Sequence, residues 1–136
     1  MEVNTLAIVQ ARMGSTRLPG KVLKKINDHT LIEILLQRLS QSKLIDKIIL
    51  ATSKSDSNNI LERKVAKLDF EVFRGSEENV LERFYQTAKA QKVKTVIRIT
   101  GDCPIIDPFV VDEVIKLYQN NEVDYASNVD PPTFPD

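Results

Sequence analysis

The feature that most constrains this chain is an alternation of short apolar runs with stretches of helical periodicity. Residues 5–9, Thr-Leu-Ala-Ile-Val, are apolar almost throughout, as expected of a strand buried on both faces of a parallel sheet. Residues 30–42 then place Leu31, Ile34, Leu35 and Leu39 at helical spacing, and Thr30 with Glu33 forms a capping-box pattern. Residues 47–51 give a second strand. The Ser/Asp/Asn-rich residues 52–59 make a loop and cap ahead of a helix through Leu61, Val65 and Leu68. A third strand is expected at 70–73. A third helix follows at 77–91, with Val80, Leu81, Phe84, Tyr85 and Ala88 on its apolar face and Glu77 and Glu78 at its positive end. Residues 95–100 form the fourth strand, and Asp107 before Pro108 opens a fourth helix. A fifth strand is expected around 123–126, running into the tail Asp130-Pro-Pro-Thr-Phe-Pro-Asp136. Strands separated by helices pair in parallel through crossovers, so the expected class is α/β, a mostly parallel sheet with helices on both faces.

The 136 residues amount to one domain, against roughly 150 for a typical one. A chain of this size buries about two-thirds of its unfolded surface without staples. One cysteine, Cys103, and one histidine, His29, exclude an internal disulfide and a Cys/His zinc cluster. No apolar run approaches the roughly 18 residues of a membrane span, and no basic-then-apolar leader opens the chain, so a cytoplasmic protein is expected. The 19 basic and 19 acidic side chains cancel, which argues against a general nucleic-acid binder. The cancellation conceals a local surplus: Arg12, Arg17, Lys21, Lys24 and Lys25 follow one another with no acid between them. A cationic segment in a neutral protein suits a small anionic ligand. The proline-rich ending, with no element to cover it, leads us to expect the N-terminal part of a longer chain.

Ligands of open parallel sheets bind at the carboxyl ends of the strands, which selects residues 10–21, 51–56, 74–79 and 101–107. The first segment reads Gln10-Ala-Arg-Met-Gly-Ser-Thr-Arg-Leu-Pro-Gly-Lys21. It is not a Walker A loop: five residues separate Gly14 from Gly20, and Val22 stands where Ser or Thr would bind magnesium. It does not match the Gly-x-Gly-x-x-Gly dinucleotide fingerprint either. What it offers is two guanidinium groups, an ammonium and two hydroxyls, the donors a polyphosphate needs; by composition alone it reads equally as a solvated basic loop. The turn Gly101-Asp102-Cys103-Pro104 sets a carboxylate at the end of a strand, a placement that suits Mg²⁺, although Gly-Asp is also an ordinary turn pair. Cys103 has no histidine in the same loops and reads as a spectator thiol. Glu82 and Arg83 are expected on a solvated, salt-bridging helix face, and Asp107 is explained by capping.

The stretch Ile8-Val-Gln-Ala-Arg-Met-Gly-Ser-Thr-Arg-Leu-Pro-Gly-Lys-Val-Leu23 resembles the opening of the cytidylyltransferases that activate acidic sugars, the CMP-KDO and CMP-sialate synthetases. The resemblance is strongest to their spore-coat polysaccharide branch, which Phe73-Arg-Gly-Ser-Glu-Glu-Asn-Val-Leu-Glu-Arg83 and Arg98-Ile-Thr-Gly-Asp-Cys-Pro-Ile-Ile-Asp-Pro108 also match. It implies a Rossmann-like nucleotide-diphospho-sugar transferase fold, a single nucleotidyltransferase domain over residues 1–136, and transfer of CMP from CTP to a sugar or sugar acid with release of pyrophosphate. Carried over position by position, Arg12, Arg17 and Lys21 hold the triphosphate, with Gly14, Ser15 and Thr16 supplying loop contacts. The base lies near Gln10, Ala11, Thr52 and Ser53; Arg74 and Ser76 flank the nucleoside; Thr100 borders the site; Asp102 binds Mg²⁺. Arg12, Lys21 and Asp102 are the implied catalytic set. The CMP-KDO synthetases carry Gln-Gly-Asp-Glu-Pro at the turn where this chain, like the spore-coat branch, has Thr100 and Cys103, a difference that bears on base and acceptor selectivity. Because the loop grips phosphates and not bases, a nucleotidyltransferase using another NTP is an alternative, and a nucleotide-binding module without catalysis is another. The resemblance further implies a small sugar acceptor, a homodimer in the full-length protein, and neither nucleic acid nor membrane as partner.

Overall fold

A computed structural model describes residues 2–134 of the chain. In chain order the elements are β1 (Thr5–Gln10), a short hairpin of β2 (Lys25–Ile26) and β3 (His29–Thr30), α1 (Leu31–Leu39), β4 (Lys47–Ser53), α2 (Asn59–Ala66), β5 (Glu71–Gly75), α3 (Val80–Gln91), β6 (Thr95–Thr100) and α4 (Pro108–Gln119). Four strands form a parallel sheet in the order β5-β4-β1-β6. From β1 through α1 to β4, and through α2 to β5, the chain steps outward in one direction. It then returns across the whole sheet through α3 to place β6 on the far side of β1. Crossovers between parallel strands are right-handed, so reversing the direction of travel moves the helix to the opposite face.

The two cores follow from this. Leu35, Leu36 and Leu39 of α1, Leu61 and Val65 of α2, and Val111 and Ile115 of α4 pack on one face against Ala7, Val9, Leu50 and Ile99. On the other face Leu6, Ile8, Ile49 and Ala51 meet Phe73, with Phe84 and Ala88 of α3. β1 is buried along nearly its whole length, as its unbroken apolar run requires of a central strand. The caps are those the sequence implies. Thr30 Oγ1 accepts from the Glu33 amide at 3.3 Å, and Asp107 Oδ1 accepts from the Phe109 and Val110 amides at 2.8 and 3.3 Å.

Three expectations are corrected. No strand forms at 123–126: Val123 and Tyr125 are exposed, and what pairing the segment has is an isolated bridge further on, between Val129 and Pro132. The last two residues of the proline-rich tail, Pro135 and Asp136, lie outside the described residues. α3 starts at Val80 with Asn79 as its cap, accepting from the Glu82 amide at 2.9 Å, and the residues before it form a loop. Its buried face is also different. Leu81 is 80% exposed and Tyr85 is largely exposed, whereas Arg83 is 1% exposed and Thr87 is fully buried. Arg83 was expected on a solvated face, but it fixes the rotation of the helix from within: Nε donates to Ser76 O at 2.9 Å and Nη2 to Glu77 O at 3.1 Å. The hairpin of β2 and β3 is too short for any periodic pattern to announce. Among the described residues no helix is long and apolar enough to cross a membrane.

Candidate functional site

The reversal of chain direction falls between β1 and β6, where the loops leaving two neighbouring strands diverge and open a crevice. A cleft of about 310 Å³ lies there. The loop after β1 lines it with Gln10, Ala11, Arg12, Gly14, Ser15, Thr16, Arg17 and Lys21; β6 and its turn contribute Arg98, Thr100, Gly101 and Asp102. Two segments ninety residues apart in sequence are thus brought to one wall by the register that sets Gln10 opposite Thr100.

Local bonds shape the basic loop. The Gly20 amide donates to Met13 O at 2.8 Å and closes the loop on itself, and the Leu18 amide donates to Ser15 Oγ at 3.2 Å. Its base is held by Asn58, which is 1% exposed: Oδ1 accepts from the Met13 amide at 2.8 Å and Nδ2 donates to Ser53 Oγ at 2.6 Å. On the other wall the Gly101 amide donates to Gln10 O at 2.7 Å. A Cβ at Gly101 would stand 2.6 Å from that oxygen and 2.7 Å from Ala11 Cβ, so only glycine permits the approach.

Electrostatically the cleft is cationic. Arg12, Arg17, Lys21 and Arg98 face one carboxylate, Asp102, and no ion pair among the described residues engages Arg12 or Arg17. Lys21 Nζ stands 3.7 Å from Asp102 Oδ2, with both side chains partly open to solvent. Such an exposed pair holds its members weakly and leaves them available to a ligand. Arg98 lies with its guanidinium 5.7 Å from the centre of the Phe84 ring. Its signal in the sequence is a charge interrupting the apolar strand Val96-Ile-Arg-Ile99. The described residues contain no group of three or more His, Cys, Asp or Glu able to cage a metal. One carboxylate facing a cationic cleft has the chemistry of a Mg²⁺ ligand, since Mg²⁺ takes one or two carboxylates and fills its remaining positions with phosphate oxygens and water.

The remaining expected site residues, Thr52, Ser53, Arg74 and Ser76, are not among those that line the cleft. Thr52 and Ser53 are fully buried. Ser53 Oγ is a junction, donating to Glu77 Oε2 at 3.0 Å while accepting from Asn58 Nδ2 and the Ser55 amide. Arg74 is occupied by its own loop: Nε donates to Ser53 O at 2.6 Å, Nη2 to Ser55 O at 2.8 Å, and Nη1 meets Asn59 and Glu62. Ser76 Oγ accepts from the Asn79 amide at 3.1 Å, ahead of α3. Cys103 is half-buried, its Sγ 3.9 Å from Thr100 Oγ1 and 3.8 Å from Asp102 Oδ1.

Residues 6–134 match the profile of the family described as Cytidylyltransferase. The chain belongs to that family. Over 125 residues it is 45% identical to the spore coat polysaccharide biosynthesis protein SpsF of Bacillus subtilis (strain 168), a match covering 89% of this chain and 52% of that protein. A solved cytidylyltransferase from Leptospira borgpetersenii superposes with a TM-score of 0.79 at 34% identity, over 90% of this chain and 50% of the other. A CMP:2-keto-3-deoxy-manno-octonic acid synthetase solved in complex with CTP shares the fold, with a TM-score of 0.75 at 24% identity over 87% of this chain and 48% of the other. The chain therefore spans about half the length of the relatives it matches. The sheet with helices on both faces is the nucleotidyltransferase fold of these cytidylyltransferases.

Proposed function

We propose that this chain carries the CTP site of an enzyme that transfers CMP from CTP to a sugar or sugar acid, releasing pyrophosphate, in surface polysaccharide synthesis. The observation that carries the reading is the cationic cleft at the switch point, where Arg12, Arg17 and Lys21 converge with Asp102. Family membership and the CTP complex of a protein with the same fold support it, and the SpsF relative supports the link to a polysaccharide.

In this reading Arg12, Arg17 and Lys21 grip the triphosphate, and Gly14, Ser15 and Thr16 bring the loop against it. A Cβ at Gly14 would meet nothing within 4 Å, which leaves room for phosphate oxygens beside the backbone. A hydroxyl of the sugar attacks the α-phosphorus in line; the new P–O bond forms as the bond to the departing pyrophosphate breaks, and the hydroxyl proton passes to solvent. Arg12 and Lys21 neutralise the charge that gathers on the phosphate oxygens, which is where most of the catalysis of such a transfer resides. Asp102 would hold Mg²⁺, which when bound supplies further charge neutralisation to the phosphates. The base lies over the Gln10–Ala11 backbone, bordered by Thr100. Thr52, Ser53, Arg74 and Ser76 act by holding the loops that flank the nucleoside.

The test is thermal. With Mg²⁺ and CTP at about 100 times its dissociation constant, unfolding should cost about 2.7 kcal/mol more, seen as a higher Tm. No shift with any NTP overturns the enzyme reading, and a shift with ATP or GTP but not CTP overturns the cytidylyl assignment. Pyrophosphate release with a panel of 2-keto-3-deoxy sugar acids then tests the acceptor class.

A further inference from the structure

Arg83 is the largest fully buried side chain of the described residues. It holds two carbonyls of the loop before α3, yet its Nη1 is out of contact with solvent and has no hydrogen-bond partner among the described residues. None of the ion pairs among the described residues includes it. Burial first, and then the neighbouring Arg12 guanidinium, push its pKa below the usual arginine value, with Glu77 pulling weakly the other way. A buried cation with one spare donor is costly to keep. It is built in tightly: a Cβ at Gly75 would stand 2.9 Å from Arg83 Cγ.

A second atom is in the same condition. Gln10 Oε1 is buried without a partner among the described residues. Gln10 follows Leu6 and Ile8 along β1, so its side chain is on the face that packs against Phe84 and Ala88 of α3. Gln10 also lines the cleft. A spare donor and a spare acceptor thus stand on the α3 side of the sheet, the acceptor in the lining of the cleft and the donor buried behind it, close enough to Arg12 of the lining to feel its charge. The third unpartnered atom, Thr52 Oγ1, follows Leu50 on β4 and belongs to the other face.

We propose that Arg83 and Gln10 read the nucleobase, Arg83 Nη1 donating to N3 and O2 of cytosine while Gln10 Oε1 accepts from its exocyclic amino group. This assignment rests on the nucleotidyltransferase reading above and adds the residues that choose the base. Cytosine presents an acceptor beside a donor, which matches the pair. Uracil presents the reverse, setting N3–H against the Arg83 donor and O4 against the Gln10 carbonyl. A phosphate or carboxylate brings two acceptors and is repelled by Gln10 Oε1.

The test is the dissociation constant of CTP, UTP and ATP, each with Mg²⁺, for the wild-type chain, Arg83→Gln and Gln10→Leu. The wild type should prefer CTP, and each variant should lower the CTP-over-UTP ratio by at least about tenfold, as loss of a buried hydrogen bond to a base edge does. Melting curves show which variants fold. If Arg83→Gln does not, Gln10→Leu decides alone. Equal wild-type affinity for CTP and UTP, ATP bound as tightly as CTP, or a ratio that survives the substitutions overturns the base-reading pair. A wild type that binds no nucleotide at all overturns the underlying reading instead.

Discussion

Arg17 is exposed and has no ion-pair partner among the described residues, so the proposed triphosphate site predicts an effect on the ligand and not on the fold. Arg17→Ala should weaken CTP binding by roughly ten- to a hundredfold, the range of about 1.5–3 kcal/mol for a hydrogen bond to a charged group. Its unfolding free energy from urea titration should stay within about 0.5 kcal/mol of wild type. Titration calorimetry beside urea unfolding separates the two; a destabilised variant would place Arg17 in the fold. Asp112 is the opposite case. It is 7% exposed and accepts from Ser42 Oγ and the Lys43 and Leu44 amides, tying α4 to the turn after α1. Burial raises its pKa, but those three donors outweigh it and hold the carboxyl below the ordinary 3.8. The folded pKa lies below the unfolded one, so the carboxylate stabilises the fold above about pH 4 and this contribution is lost as pH falls through the folded value. Asp112→Ala should cost roughly 1–3 kcal/mol at pH 7, with the gap to wild type narrowing toward pH 3 in urea titrations. A constant gap would refute the charge-based account.

Elements were legible wherever local chemistry is self-contained. Thr30 and Asp107 cap the helices that their patterns announce, and four apolar runs became the four strands of the sheet. The face of α3 was not legible, because hydrophobicity favours Leu81 and Tyr85 whereas the helix is turned by hydrogen bonds from Arg83 to a loop that periodicity does not describe. The strand expected at 123–126 failed for a related reason: β-propensity makes a strand only where a partner edge receives it. Strand spacing also carries a prediction. A methyl group at Gly101 must push β6 and its turn away from Gln10 and Ala11, so Gly101→Ala should cost about 1–3 kcal/mol and weaken CTP binding with it. Unchanged affinity in a folded Gly101→Ala protein would show that the close approach of the two walls is unimportant to the site.

At the scale of the whole molecule, a chain of zero net charge gathers four cations and one carboxylate in a single cleft. Long-range attraction of a triphosphate then comes from the cleft and is screened by salt. Raising KCl from about 50 to about 500 mM shortens the Debye length several-fold, and CTP affinity should fall by about tenfold or more while the unfolding free energy moves little. Affinity independent of salt would mean that base contacts, not phosphates, dominate binding. The groove beside β6, lined by Ile97, Ile99, Val110 and Phe134, is larger and more apolar than the cleft, at about 460 Å³. It touches the cleft only through Arg98 and Thr100, and its chemistry is not that of a polyphosphate site.

By itself the sequence determined the α/β class, the four strands of the main sheet, the caps of α1 and α4 and the identity of the basic loop. Each of these depends on residues within a turn or two of one another, or on a motif read in a single stretch. Tertiary structure decided which face α3 buries, that Asn58 anchors the loop, that Arg98 joins the cleft, and that Arg74 serves its own loop. Those outcomes depend on side chains brought together from distant positions, where the hydrogen-bonding needs of a buried polar atom override the preferences of its neighbours in sequence.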